Sequence, residues 1–279
     1  MKASVYTSLF NYSPEKFDLL GAFKNWSKYC DEIVIATFED QRDIIEEEVA
    51  YVLEHDCLAG DNFLLKLWNR IKVVYCPDTL LDDPLFDGKL KNAALQDCSN
   101  ELVIQLDADE KIGGDLEQWQ YLSNILHQYP RPIAYMIPVI DLYKDYSHYK
   151  SVSSKWYLHL KEKTYRGPVN FAIRQDGTLD TNSSDSCELI DENGNLVPYF
   201  NDIRFYAPSK SGKDFNVNAC HIIHEGYLDL NKRIENNKFW KKIWSARNGS
   251  EVEVATSLEK LEEENEAIPH GLPIKWWEN

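Results

Sequence analysis

The sequence contains no C-x-x-C pair, although six cysteines are spread over its 279 residues. Cysteines scattered in this way are typical of reduced, mostly buried thiols. The chain also lacks an apolar run near the ~20 residues that a membrane-spanning helix needs. Its opening segment, MKASVYTSLF, is too short and too polar to supply the apolar core of a signal peptide. These absences predict a soluble, cytoplasmic protein with no transmembrane segment.

Positive charge is scarce as well, since 46 acidic residues face 30 basic ones and the net charge is −16. Such a chain repels nucleic-acid backbones and anionic membranes, so we expect no nucleic-acid partner, although a local basic cluster can still hold an anionic ligand. Hydrophobic residues make up 43% of the chain and aromatic residues 13%. This content favours a packed core and excludes wholesale disorder.

Strands and helices alternate along the first 110 residues, which predicts parallel strands with helices on both faces of the sheet. The predicted strands cover 3–10, 31–38, 71–76 and 101–109, and the predicted helices cover 13–30, 41–70 and 88–99. The first helix begins with Ser13 as a possible N-cap and Pro14 at its first position. Apolar residues on both faces of the strand at 101–109 are typical of a central parallel strand.

The pattern is looser after residue 115. It predicts a helix at 116–129, a strand at 132–143, a turn-rich segment with a hairpin or loop at 175–215, and a charged helical region from 228. The predicted domains are residues 1–228, divided into a nucleotide-sugar half at 1–112 and an acceptor half at 113–228, followed by a helical extension at 229–279.

Two aspartates separated by one alanine, Asp107 and Asp109, follow the predicted fourth strand, and Glu110 comes next. Residues i and i+2 of an extended segment project to the same side, so the two carboxylates can converge beyond the carboxyl end of the strand. Ligands of open α/β sheets bind at that edge. Paired carboxylates suit Mg²⁺ or Mn²⁺. Glu110 is either a supporting partner of the pair or a solvated acid.

Other motifs fit these residues less well. An EF-hand loop needs glycine where Ile112 stands, and the P-loop-like string APSKSGKD has Ala207 and Asp214 at positions that need glycine and Ser or Thr. A phosphatase or phosphotransferase that uses Asp107 as its nucleophile remains an alternative. A non-catalytic carbohydrate-binding protein on the same fold is another.

The N-terminal half as a whole resembles the family-2-like glycosyltransferases of the GT-A fold. The resemblance rests on the order of elements and on GKLKNAALQDCSNELVIQLDADE, in which Gly88, Lys89, Lys91, Asn92 and Ala94 precede the D-x-D pair. It covers residues 3–112 well and the rest loosely. It implies an α/β, Rossmann-like GT-A fold with a mostly parallel sheet flanked by helices and a C-terminal helical extension. It also implies transfer of a hexose from a UDP- or GDP-linked donor to a hydroxyl of a glycan or other acceptor.

The resemblance implies roles for particular residues. Asp107 and Asp109 would be the catalytic pair and would bind Mn²⁺ or Mg²⁺ together with His224, with His221 as a fallback. Donor-binding positions would be Thr7, Ser8, Asn11, Glu39, Asp40, Lys89, Asn92 and Asp107. Lys91 is a further candidate for the diphosphate. No residue stands out as the general base that an inverting transfer needs.

Overall fold

Four apolar segments of the N-terminal half form parallel strands on one side of a large mixed sheet. The computed structural model describes residues 1–13, 17–58, 70–83, 85–128, 133–167, 172–173, 179–180, 188–202, 204–209, 212–248, 250–270, 275 and 277. Within these residues the helices are α1 (Leu19–Trp26), α2 (Arg42–Leu58), α3 (Phe86–Asp97), α4 (Leu116–Gln128), α5 (Leu230–Asn248) and α6 (Leu258–Glu264).

The strands of the main sheet are β1 (Ser4–Ser8), β2 (Glu32–Phe38), β3 (Ile71–Cys76), β4 (Leu102–Gln105), β5 (Glu110–Gly113), β6 (Ala134–Tyr143), β7 (Asp145–Leu160), β12 (Tyr199–Asn201), β15 (His221–His224) and β16 (Ile268–Pro269). Short two-stranded sheets comprise β8 (Tyr165–Gly167), β9 (Ala172–Ile173), β10 (Leu179–Asp180), β11 (Glu188–Ile190), β13 (Tyr206–Ser209) and β14 (Gly212–Phe215).

The sheet order is β3-β2-β1-β4-β7-β6-β15-β5, and the first four strands run parallel. β7 pairs antiparallel with both β4 and β6, and β5 pairs antiparallel with β15, so the sheet is mixed beyond β4. The result confirms a Rossmann-like α/β fold of the GT-A type with helices against the sheet.

Both faces of β1, β2 and β4 are buried, as their apolar sequences require, whereas the edge strand β3 is partly exposed. In β2, Ile33 and Ile35 pack into the core cluster that includes α1, whereas Val34 and Ala36 pack into the cluster that includes α3. β1 and β4 are therefore held from both sides, and their carboxyl ends are fixed next to each other.

Helix α1 differs from its predicted span because its N-cap is Asp18, whose carboxylate accepts the Gly21 N–H at 2.9 Å. Position 14, where the sequence suggested the helix start, lies outside the described residues. The helix fixes the segment after β4, because Trp26 Nε1 donates to the Glu110 carbonyl at 2.9 Å. Asn25 donates to the Ile112 carbonyl at 2.9 Å and accepts its N–H at 2.6 Å.

Helix α5 belongs to the region predicted as a C-terminal extension, and it packs on the main body of the protein. Phe239, Trp240 and Ile243 pack against the core cluster on the α3 side of the sheet. The boundary at 228/229 stays a prediction. No helix among the described residues is both long and apolar enough to cross a bilayer.

Candidate active site at the carboxyl end of β4

The Asp107-Ala108-Asp109 turn lies just beyond the carboxyl end of β4 and is closed by Glu110. The Glu110 N–H donates to the Asp107 carbonyl at 3.0 Å, and the Asp107 N–H donates to Glu110 Oε2 at 2.9 Å. The Glu110 side chain also accepts the Tyr157 hydroxyl and, at 3.3 Å, Lys155 Nζ. Glu110 is fully buried, so the structure gives it the supporting role and excludes a solvated acid.

Burial raises the pKa of the Glu110 carboxyl, and the charge of Lys155 opposes only part of that rise. Lys155 comes from β7, and its side chain remains 47% exposed beside the turn. The Glu110 carboxylate raises the pKa of Lys155, which therefore stays charged. The turn thus has a permanent positive charge next to it.

The Asp107 carboxylate contacts a second lysine. Lys91 of α3 lies 3.3 Å from Asp107 Oδ1 and 3.4 Å from Asp87 Oδ2, and it is almost completely buried. Burial would raise the pKa of Asp107, but the charges of Lys91 and Lys155 outweigh it and lower that pKa. Asp107 is therefore an ionised carboxylate held between lysines.

The Asp109 carboxylate instead contacts His224, at the end of β15. His224 Nε2 lies 3.4 Å from Asp109 Oδ2, and His224 Nδ1 lies 2.7 Å from Asp141 Oδ1. Burial would lower the pKa of His224, but the carboxylates of Asp109 and Asp141 outweigh it and raise that pKa to about 10. Against the effect of burial, His224 holds the pKa of Asp109 well below its ordinary value.

The surroundings of Asp109 and His224 fit a divalent cation, which would replace the proton on His224 Nε2. A carboxylate on the far ring nitrogen, as Asp141 provides, is the usual support of a metal-binding histidine. A Cβ on Gly226 would lie 2.5 Å from His224 Nε2 and 2.8 Å from Asp109 Oδ2, so only glycine leaves the space above this pair open.

Of the three metal ligands that the sequence predicted, Asp109 and His224 are in contact, whereas Asp107 contacts Lys91, and the full set stays a prediction. No group of three or more His, Cys, Asp or Glu side chains with a metal-binding arrangement occurs among the described residues. A cation at Asp109 and His224 would therefore take its remaining ligands from water or a bound phosphate, as Mg²⁺ usually does.

The predicted donor-binding residues of α3 have different environments. Lys89 forms a surface ion pair with Asp83 and is 51% exposed, whereas Lys91 faces the Asp107 carboxylate. Asn92 binds the backbone of Arg166 in β8, accepting its N–H at 2.6 Å and donating to its carbonyl at 2.5 Å. Asn92 therefore joins α3 to the second half of the chain.

The remaining predicted donor-binding residues divide into two groups. Ser8 and Asn11 line the cavity beside Asp107, and Asn11 has a positive φ of 51°. Thr7 is buried, and its hydroxyl has no hydrogen-bond partner among the described residues. Glu39 pairs with Arg42, and the Asp40 N–H donates to Asp78; neither Glu39 nor Asp40 is among the described residues lining that cavity.

His221, the fallback metal ligand, has a packing role. Its ring lies 4.7 Å from the Phe205 ring, and its Nδ1 lies 2.8 Å from the Ala219 carbonyl. A Cβ on Gly113 would meet His221 Nε2 at 2.2 Å, so that nitrogen faces the β5 backbone. Burial lowers the pKa of His221 to about 4.

A cavity of about 300 Å³ adjoins Asp107, Asp109 and His224. Its basic side chains are Lys91, Lys155 and Arg233, and Arg233 Nε has no hydrogen-bond partner among the described residues. Aromatic side chains of α5 and the β1 loop line it as well: Phe10, Phe239, Trp240 and Trp244. No local motif marks Lys155 or Asp141, because β7 is placed by its pairing with the distant β4, and Asp141 meets His224 through the pairing of β6 with the distant β15.

The fold and this edge of the sheet define the class of structure as GT-A-like. No protein-family model matches the chain, and no curated protein matches it. Among solved structures, it is similar to S. aureus TarS at 14% identity over 87% of this chain and 65% of that one, with a TM-score of 0.37. A TarS structure in complex with UDP matches 52% of this chain and 36% of the other, at 19% identity and a TM-score of 0.30.

A 4-diphosphocytidyl-2C-methyl-D-erythritol synthase from Anaerococcus prevotii is similar over 93% of this chain and 94% of its own, at 13% identity and a TM-score of 0.30. The chain thus spans between about a third and two thirds of the TarS chains. At TM-scores of 0.30 to 0.37 these similarities carry no conclusion about this chain.

Proposed function

We propose that this chain is a metal-dependent glycosyltransferase that uses a nucleoside-diphosphate sugar, UDP- or GDP-linked, and transfers the sugar to a hydroxyl of an acceptor. The observation that supports it best is the convergence of Asp107, Asp109 and His224 with Lys91 and Lys155 around one cavity. A sugar–diphosphate bond breaks with negative charge developing on the leaving phosphate, and fixed positive groups stabilise that charge.

The residues have distinct roles in this proposal. Lys91, Lys155 and Arg233 bind the diphosphate, and the aromatic wall of the cavity packs against the nucleobase. Asp109 and His224 hold a divalent cation, which supplies Lewis-acid stabilisation of the leaving diphosphate. Glu110 keeps the turn and Lys155 in place.

The proposed reaction forms one bond and breaks one bond at the anomeric carbon of the sugar. The acceptor oxygen forms a bond to the anomeric carbon of the sugar, and the bond from that carbon to the diphosphate oxygen breaks. The bonding electron pair leaves with the nucleoside diphosphate, and the proton of the acceptor hydroxyl passes to water.

The test is a thermal-melting screen of UDP, GDP, CDP and TDP with and without Mn²⁺. A ligand at one hundred times its Kd stabilises the folded state by about 2.7 kcal/mol, or roughly 5–10 °C for a chain of this size. We expect one nucleotide to give a metal-dependent shift, which Asp109→Ala abolishes. The matched control is Asp145→Asn, which removes a carboxylate from the exposed His148 pair and should retain the shift.

The two rival functions give different results. If no nucleotide shifts the melting temperature of the wild type, the transferase proposal fails; a trapped phosphoaspartate at Asp107 would then establish the phosphotransferase. Nucleotide binding without sugar transfer or donor hydrolysis would instead favour a non-catalytic protein.

A further inference from the structure

A second, larger cavity meets the first at the Asp-Ala-Asp turn. It has a volume of about 1060 Å³, and Phe17, Ala108, Asp109 and Asn236 line both cavities. Its other walls are the segment that begins α1, one face of α2, the loop after β15 and the first turns of α5. Ligand pockets usually measure ~300–1,000 Å³, so this cavity has room for an extended ligand.

The two cavities differ in charge. The smaller one has three basic side chains against three carboxylates, Asp87, Asp107 and Asp109, with His224 in addition. Six carboxylates line the larger one: Asp18, Glu48, Asp109, Glu225, Asp229 and Glu235. Among the described residues, two lysines line it, Lys232 and Lys238; Lys238 lies 2.7 Å from Glu235, and Glu225 lies 3.8 Å from Lys111.

Some of these carboxylates also stabilise local structure. Asp18 caps α1, and Asp229 accepts N–H groups from the first turn of α5 at 3.0 and 3.2 Å. Their charges nevertheless remain on the cavity wall. An anionic ligand would meet repulsion there, whereas a hydroxyl or an ammonium group would find hydrogen-bond acceptors.

Two aromatic residues on the N-terminal side of this cavity add apolar surface. Phe17 is half-buried and stacks on Tyr12, with 5.8 Å between the ring centroids. Tyr51 of α2 is 48% exposed. Aromatic rings provide rigid apolar surface at binding sites, and neighbouring carboxylates accept hydroxyl hydrogen bonds, a combination suited to carbohydrates.

We infer that the larger cavity binds the acceptor and that this acceptor is a neutral or amino-bearing oligosaccharide. That the ligand is an acceptor rests on the proposed function. Under that function the sugar would be transferred near Asp109, which lines both cavities. The binding site and its preference for uncharged or cationic glycans stand on the cavity itself. An anionic glycan is excluded by the same carboxylates.

The experiment is a glycan array probed with the labelled protein, followed by calorimetry with the oligosaccharide that binds most strongly. The array contains neutral, amino-bearing, carboxylated and sulfated glycans. We expect neutral or amino-bearing glycans to bind and Tyr51→Ala to weaken binding by about five- to tenfold, since a lost aromatic contact costs about 1 kcal/mol. The matched control is Tyr121→Ala on α4, which replaces a tyrosine that is 54% exposed.

Charge reversal tests the preference directly. Glu48→Lys and Glu235→Lys should weaken the binding of amino-bearing glycans and allow anionic glycans to bind. Glu117→Lys on the exposed side of α4 should change neither. Absence of glycan binding, a preference of the wild type for anionic glycans, or equal binding by Tyr51→Ala and Tyr121→Ala would overturn the inference. Nucleotide melting shifts are measured on the wild type and on the same variants, so a wild type that binds glycans but gives no nucleotide response would refute the transferase and leave glycan binding established.

Discussion

Replacing Glu110 with glutamine should destabilise the protein although the two side chains have nearly the same shape. The Asp107 N–H donates to one carboxylate oxygen, while the Tyr157 hydroxyl and Lys155 donate to the other. An amide keeps only one acceptor oxygen, so either the N–H or the hydroxyl faces an NH₂ donor. A buried donor without an acceptor costs about 1–3 kcal/mol. The loss of the contact with Lys155 adds little to this cost, because its half-exposed ammonium can be hydrated instead.

The expected loss is about 2 kcal/mol, or roughly 4–8 °C in melting temperature for a chain of this length. Urea unfolding and thermal melting measure it, with Glu117→Gln on α4 as the matched exposed control. Tyr157→Phe removes the hydroxyl that glutamine leaves without an acceptor, so the double variant should lose at least 0.5 kcal/mol less than the sum of the single losses, within the ~0.5–3 kcal/mol coupling of residues in contact. Equal stability of Glu110→Gln and Glu117→Gln, or additive losses, would refute this account of the turn.

Three further predictions concern His221, Asn92 and Gly226. Because the pKa of His221 is lowered to about 4, its contribution to stability is complete above pH ~6.5 and falls by about 3 kcal/mol as the pH drops to 4; urea unfolding of His221→Gln should lack this part of the acid sensitivity. Asn92→Ala should cost about 2 kcal/mol in melting experiments through its two bonds to Arg166 while leaving nucleotide affinity unchanged. Gly226→Ala should weaken Mn²⁺ binding in calorimetry at least tenfold, because its Cβ would collide with His224 and Asp109.

The last two of these predictions have matched control variants. Lys89→Ala matches Asn92→Ala on the same helix and should leave stability nearly unchanged, since its ion pair with Asp83 is exposed. Gly194→Ala lies in a turn distant in sequence, where φ is 78°, and should lower stability without changing Mn²⁺ affinity. Reduced nucleotide affinity in Asn92→Ala would contradict this prediction and indicate that Asn92 binds the donor.

The parallel half of the fold was predictable because its signals are local. Each strand from β1 to β3 is a short apolar run followed by a helix, β4 follows the last of these helices, and that alternation restricts the pairing to parallel neighbours. The position of Asp107 and Asp109 followed from the end of such a run. The turn-rich segment at 175–215 likewise contains a hairpin, formed by β13 and β14.

The antiparallel half was not predictable in the same way. β7 pairs with β4 across more than fifty residues of chain, β6 pairs with β15 across more than eighty, and β5 pairs with β15 across more than one hundred. A strand pattern specifies which side chains share a face, but it carries no information about a partner so far away. Lys155 lies on β7, and Asp141 lies opposite His224 in the β6–β15 pairing, so no local motif marks them.

The difference between local and long-range signals explains why only two of the three predicted metal ligands, Asp109 and His224, are in contact. Asp107 and Asp109 share one turn, yet each contacts a residue supplied by a different element: Lys91 from α3 and His224 from β15. The i, i+2 spacing indicates that two carboxylates point to the same side, but it does not determine which positive group reaches each of them. Under the proposed function, Asp107 would lie beside the diphosphate subsite and Asp109 beside the metal subsite, and replacing either one should affect a different ligand.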